Sequence, residues 1–432
     1  MEIETLKKSH LTRNIVIAVV LVAIISAIIL TFTRAKFKNT ESIPLVNGTI
    51  NYSLADLNIV AIKVDGREVD TLPDGNYELT SESYCTINNE KDNNIKLSYD
   101  SESKTLTVTP MTKKGTKCYL YFDEQKILLA DAIKRDNQIN SENPNFASVA
   151  TTNDGVYKAE DDWGDSYYFR GAVDNNWVKF AGFYWRIIRI NGDGSIRLIY
   201  NGTSTATTGT NTQISTSVFN NSYNNNMYVG YMYTNYQVHG LGSSSTIKGV
   251  LDSWYQTNIA NKGFGNKVST EAGFCGDREP STSSSSSNGS GGTGTTQTYY
   301  GGYIRFTNST KSPTLKCKNS SDLYTVSGSS KGNKALSNPV GLITADEVAM
   351  AGGVYGQTNQ SYYLYTNQVY WTMSPYYFNA SSSYAFVLTV TSDGNLNYNW
   401  VDSTFGVRPV INLSADVKVT GSGTSSDPFV VV

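Results

Sequence analysis

The stretch "YWTMSPYYFNASSSYAFVLTVTSDGNLNYNWVDSTFGVRPVINL", residues 370–413, decides how the rest of the chain is read. Its pieces "YAFVLTV" and "GVRPVINL" are strand-like and apolar enough to belong in a core. Between them, "YYFNASSSY" and "NYNWVDS" consist almost wholly of Tyr, Asn and Ser. Tyr and Trp supply rigid contact area with few torsions to freeze, and Ser and Asn supply adaptable hydrogen bonds, as in antibody paratopes. The expectation is a packed scaffold that carries a binding surface. Its candidate ligand contacts are Tyr376, Tyr377, Asn379, Ser381, Ser383, Tyr384, Asn397, Tyr398, Asn399, Trp400 and Asp402. The plainer alternative is an ordinary solvated surface, since "NNSYNNNMYVGYMYTNY" at residues 220–236 has the same composition. Trp371 and Arg408 read differently, as anchors of the core through buried ion-pair or backbone bonds.

Working outward, residues 154–432 form one larger unit with a consistent grammar. "WRIIRI" and "SIRLIY" flank Asn-Gly-Asp-Gly, whose central positions tolerate positive φ, and so predict a hairpin. "STIKGVLDSWYQTNI" predicts a helix with Ile247, Val250, Leu251, Trp254 and Tyr255 on one face. "TADEVAMAGG" predicts a second, with a capping box from Thr344 to Glu347 and a stop at Gly352. Residues 279–298 are Ser/Gly-rich and read as a mobile surface loop. In front of this unit, residues 50–123 alternate apolar and polar residues in short runs between turn signals, which predicts a small β-sandwich. "EQKILLADAIKRDN" reads as a helix and residues 138–153 as a linker, together residues 124–153.

At the front, residues 15–32 form an uncharged run long enough to cross a ~30 Å hydrocarbon core. This predicts a transmembrane helix at residues 15–33, after a cytoplasmic tail of residues 1–14 and before a stalk of residues 34–49; a cleaved signal peptide is the rival reading. Basic residues flank both ends of the run, so charge alone leaves its orientation nearly tied. All four cysteines follow it, which suits an oxidising exterior. Pairing Cys85 with Cys118 and Cys275 with Cys317 closes two loops of a few tens of residues, each contributing about 3–4 kcal/mol; free buried thiols are the alternative. The expected localisation is the plasma membrane, single-pass, with the bulk outside.

The blocks "FYWRIIRINGDGSIRLI", "STIKGVLDSWY", "VGLITADEVAMAGG", "YWTMSP" and "GVRPVINL", in this order, resemble the bacterial surface-protein domain of the C-type-lectin-like superfamily, near its formylglycine-generating (sulfatase-modifying) branch. The similarity spans roughly residues 157–413, and the front sandwich looks like the small cysteine-containing module that precedes this domain in anchored proteins. The resemblance implies an α+β class: two main helices on irregular antiparallel strands in a mixed α/β domain, with a loop-rich ligand face. Some members look like targets of diversity-generating retroelements, and the Tyr/Asn/Ser loops of residues 376–403 fit the output of adenine-directed codon change.

Composition excludes some classes. With a net charge of −2 and 17% charged residues, no phosphate-neutralising surface is indicated, so nucleic acid is not an expected partner. The two histidines, His10 and His239, lack a serine-elbow or other triad signature. The formylglycine-generating branch depends on cysteines near its C-terminal cleft, whereas no cysteine follows Cys317. Glu160, Asp161, Asp162 and Asp165 could hold calcium, yet they match neither an EF-hand nor the calcium-sugar motifs of C-type lectins, and a solvated turn is the favoured account. "GSGGTG" at residues 289–294 follows a serine tract rather than a strand, so a dinucleotide site fails on context. Sequons at Asn47, Asn308 and Asn379 are expected by chance in such a composition. The expectation is a non-enzymatic receptor or adhesin without cofactor or metal, anchored in the membrane by one helix. Its ligand would be a protein or glycan on another cell, phage or host. A structural envelope protein with fixed loops and a formylglycine-generating type of enzyme are the alternatives.

Overall fold

The computed structural model describes residues 57–73, 75–101, 103–110, 115–281 and 291–432. The chain divides into two compact units, Met1–Glu124 and Gln125–Val432.

In the first unit, strand Thr116–Glu124 buries every second side chain from Thr116 to Phe122, the period of a strand with one covered face. It pairs in parallel with Leu57–Val64 and antiparallel with Tyr84–Ile87 and Tyr77–Leu79. The hairpin Lys96–Asp100/Thr105–Thr109 adds Leu106 to the core of Ile62, Leu120 and Phe122. Cys85 lies directly opposite Cys118 in the ladder and is disulfide-bonded to it.

The second unit is built on two sheets. The larger contains the foreseen hairpin: Phe183–Ile190 pairs antiparallel with Ile196–Tyr200, which in turn pairs with Val410–Leu413. Gly194 closes the turn at φ 84°, a region that favours glycine. The smaller sheet runs in the order Ser215–Ser217, Phe405–Val407, Tyr370–Asn379, Tyr384–Val390, Leu396–Trp400, with Thr298–Tyr299 added beside Tyr370–Asn379. Its strand Tyr370–Asn379 is buried for its first seven residues, because "YWTMSPY" sits inside the core.

Strands account for 38% of the described residues and helices for 14%, so the described chain is mainly β, and the expected α+β class is corrected. The foreseen helices form but are short, Leu129–Asp136, Thr246–Tyr255 and Ala345–Ala351, joined by the unforeseen Gly301–Thr307. The Val-, Ile-, Thr- and Tyr-rich runs between them, expected to be irregular, pair into ladders that suit β-branched and aromatic side chains. Helix Thr246–Tyr255 buries Ile247, Leu251 and Tyr255 as its pattern predicts, and Ser245 caps it by accepting from the Lys248 N–H. Helix Ala345–Ala351 carries the complete capping box of Thr344 and Glu347 and ends at Gly352 with φ 115°. All seven of its residues are buried, including Asp346 and Glu347, so it is an internal element.

No helix among the described residues is long and apolar enough to cross a membrane. The ten residues of Thr246–Tyr255 rise only about 15 Å, half of a ~30 Å hydrocarbon core. The run at residues 15–32, like the tail and stalk beside it, lies outside the described residues. The single-pass anchor rested on that uncharged run alone, and the plasma-membrane localisation is corrected with it. Residues 138–153, expected to be a linker, belong to the second unit: Ile139–Asn140 joins a sheet, and Arg170 donates to the carbonyls of Asn145 and Ser148. Of the Ser/Gly-rich loop, residues 282–290 lie outside the described residues. Its end is packed, with the Asn226 side chain donating to the carbonyls of Thr293 and Thr296.

Candidate ligand-binding site

The site forms where three strands of the smaller sheet meet. Along Tyr370–Asn379 the pairing with Tyr384–Val390 slips between Pro375 and Tyr377, so two residues oppose one. Such a bulge re-aims side chains. Tyr376 and Tyr377 both contact the Tyr398 ring, with centroids 4.4 and 5.5 Å away. An earlier slip, between Trp371 and Pro375, accompanies a change of backbone partner: the Met373 N–H donates to the Ile343 carbonyl at 2.8 Å.

On strand Tyr384–Val390, alternation sends Tyr384 and Phe386 to the face that Tyr398 and Trp400 occupy on the next strand. Tyr377 and Phe386 stack with centroids 4.4 Å apart and planes 3° from parallel. Tyr384 lies 5.4 Å from Trp400. Together these rings, Ser382 and Asn399 line an open groove of about 500 Å³. Trp400, 52% exposed, is the most solvent-facing of the rings. The groove's lining among the described residues includes no charged side chain. Burial pushes the Tyr377 phenol up to about 12, and neighbouring Tyr223 pushes that of Tyr384 up. Both phenols therefore stay neutral near pH 7.

The remaining predicted contacts separate by role. Tyr376 is 3% exposed and its hydroxyl bonds that of Tyr355 at 2.7 Å, so it supports the groove from beneath. Asn379 Oδ1 accepts from the N–H groups of Ser381 and Ser382 and from the Ser381 hydroxyl, forming an Asx turn at the groove's end. Ser383 closes this turn at φ 57°. Asn397 and Asn399 alternate to the opposite face of the sheet, where the Asn399 amide donates to Thr389. Asp402 follows Trp400 in a turn held by the Ser403 N–H on the Trp400 carbonyl.

Sequence reasoning missed Phe386, Ser382, Tyr223, Tyr299, Tyr303 and Tyr355. Phe386 was legible, two residues from Tyr384 in a strand. Tyr223 belongs to the segment whose similar composition supported the plainer reading; it stacks on Tyr384 at 4.4 Å, and its carbonyl accepts from the Ala385 N–H. Tyr299 stacks on Tyr377, while Tyr303 and Tyr355 pack on Tyr376. No local signal announces these long-range contacts. Trp371 and Arg408 are core residues: Trp371 donates to the Ser217 carbonyl, and Arg408 donates to the carbonyls of Tyr200 and Leu364 and lies over the Tyr370 ring.

A second cluster lies inside the unit. Arg189 binds Asp161 at 2.5 Å and Glu347 at 3.1 Å, and Arg197 also pairs with Glu347. Burial alone would raise the Glu347 carboxyl, but Arg197, Arg189 and the Thr344 N–H hold it below its ordinary value. Nearby, Arg305 bridges Asp277 and Asp346 at 2.5 and 2.7 Å. Burial pushes the Asp277 carboxyl up to about 6, against the pull of Arg305 and with the push of Asp346. The cavity among these groups measures about 30 Å³, room for little more than one water.

The acidic residues Glu160, Asp161, Asp162 and Asp165 have separate partners. Asp161 accepts from Arg189 and three backbone N–H groups, Asp162 from the Cys317 N–H, Glu160 pairs with Lys316 and Asp165 with Lys158. Among the described residues no group of three or more His, Cys, Asp or Glu side chains is placed to hold a metal ion. His239 lies beside Asn319 and Glu279. Cys275 and Cys317 form the second disulfide, and no cysteine is free.

Compared with protein-family models, with curated proteins and with solved structures, the chain finds no match.

Proposed function

We propose that the chain is a ligand-binding protein and that its ligand docks in the uncharged aromatic groove of the smaller sheet. The observation that carries this reading is Trp400, a large aromatic side chain 52% exposed at the rim of a groove formed by Tyr377, Tyr384, Phe386 and Tyr398. Covering the exposed half of Trp400 removes apolar area from water at about 25 cal/mol per Å². The rings are already braced by one another and by Tyr376 and Tyr223, so little side-chain freedom is lost on binding. Serine and tyrosine hydroxyls at the rim supply hydrogen bonds without charge. The ligand is a neutral, partly apolar surface of a protein or glycan, and the role is recognition rather than turnover.

The test is to probe peptide and glycan arrays with the purified chain and with Trp400→Ala side by side. Binding that is lost in the variant, with an unchanged thermal melt, supports the groove. Equal binding by both chains would place the contact elsewhere and sink the proposal.

A further inference from the structure

The aromatic groove ends at an open sheet edge. Among the described residues, strand Leu396–Trp400 pairs with no strand other than Tyr384–Val390. The Val401 N–H donates to the Ala385 carbonyl, so the backbone groups of residues 397, 399 and 401 face the neighbouring strand and those of 396, 398 and 400 face outward. Most outward groups have partners. Leu396 forms a parallel bridge with Tyr355, and its carbonyl accepts from the Gly356 N–H at 3.2 Å. The Tyr398 N–H donates to Asn397 Oδ1 at 2.9 Å, and the Trp400 carbonyl accepts from the Ser403 N–H at 3.0 Å. Two groups are left open among the described residues: the Tyr398 carbonyl and the Trp400 N–H.

That pair has a direction. An antiparallel neighbour would exchange both bonds with one residue, either Tyr398 or Trp400, and each has already committed one of its two groups. A parallel neighbour instead places one residue opposite Asn399, donating its N–H to the Tyr398 carbonyl and accepting from the Trp400 N–H. The bridge of Tyr355 to Leu396 is already parallel, and Gly356 then turns away at φ 75°, leaving the next position along the edge unfilled.

We propose that the ligand, on the reading that the groove binds one, is an extended peptide segment that adds to this edge as a short parallel strand. The residue opposite Asn399 points to the far face with it, so its two neighbours lie beside Tyr398 and Trp400 on the groove face. The recognised pattern is therefore an apolar residue, any residue, then a second apolar residue. The uncharged lining disfavours Lys, Arg, Asp or Glu at both outer positions.

The experiment is an array of linear octapeptides, randomised except for two apolar residues spaced in this way, probed with the full chain beside an array of neutral oligosaccharides. The best peptide is then resynthesised with the backbone nitrogen of the middle residue methylated, which removes the donor to the Tyr398 carbonyl. The expected result is enrichment of the pattern and at least an about tenfold weaker affinity on methylation and, separately, for Trp400→Ala. Full affinity of the methylated peptide overturns strand addition, as does absence of peptide binding. Oligosaccharide binding that Trp400→Ala abolishes, with no peptide bound, also overturns it while leaving the groove's binding role standing. No Trp400-dependent ligand on either array counts against both.

Discussion

Tyr376 and Tyr377 are consecutive in one strand, yet both rings reach Tyr398, because a bulge between Pro375 and Tyr377 cancels the alternation that would send them to opposite faces. Tyr376 lies underneath and Tyr377 lines the groove. Tyr376→Ala is expected to cost about 3–5 kcal/mol as a buried aromatic truncation. Tyr376→Phe, which loses only the bond to the Tyr355 hydroxyl, should cost about 0.5–1.5 kcal/mol. Urea unfolding midpoints measure both, and an equal cost would show that packing is not what Tyr376 contributes.

Trp400 should behave in the opposite way. Its side chain is 52% exposed, so Trp400→Ala should change stability by no more than about 0.5 kcal/mol while removing ligand binding. Parallel thermal melts and binding isotherms separate the two effects. A large drop in the melting temperature would reassign Trp400 to the scaffold.

Glu347 serves two buried arginines, Arg189 and Arg197, and caps its own helix. Glu347→Gln leaves both guanidinium groups without their shared carboxylate, and breaking a buried pair from one side costs about 3–5 kcal/mol. Because the folded carboxyl sits below its ordinary pKa, this stabilisation is complete above the usual carboxylate range and fades as pH falls through it. Chemical denaturation of both chains at neutral and acidic pH should show their difference shrinking toward acid.

Asp277 has the reverse sign. Its carboxyl is pushed up to about 6 in the folded chain from 3.8, so between these values the native state holds a proton that the unfolded chain releases. Stability from this group rises as pH falls from about 7 toward about 4. Relative to Asp277→Asn, whose amide does not titrate, the wild-type chain should gain stability across that window. A constant difference between their melting temperatures would mean that Asp277 does not carry the shift.

A diversified binding face would leave a mark at the population level. Sequencing the gene across a source population should find substitutions concentrated at Ser382, Tyr384, Tyr398 and Trp400, which border the groove. Trp371 and Arg408, which hold the core by backbone bonds, should stay constant. Variation spread evenly over exposed residues would argue against a diversified face.

Several features were legible because they are local. The capping box at Thr344 needs only residues three apart, the hairpin before Gly194 needs turn residues between two apolar runs, and the helix after Ser245 needs one apolar face. The aromatic, Ser/Asn-rich composition marked residues 376–402 as a surface of interest. It did not sort them: eleven candidates included two asparagines whose side chains alternation sends to the other face, and it omitted Phe386, which lies opposite Trp400 in the ladder and lines the groove. The class was misjudged because short β-branched and aromatic runs look alike whether they form loops or ladders until partners are known.

By itself, then, the sequence determined the local elements, the cysteines able to bridge and the neutral aromatic chemistry of the groove, since each depends on residues within a turn or a strand. Only the tertiary structure decided which rings share a face. Tyr223, Tyr299 and Tyr355 reach the groove's rings from distant segments, and the slips of Tyr370–Asn379 accompany a bond from Met373 to Ile343, outside the strand. Register and bulges are set by which segments pair across long loops, and that is a property of the packed core rather than of any stretch of residues.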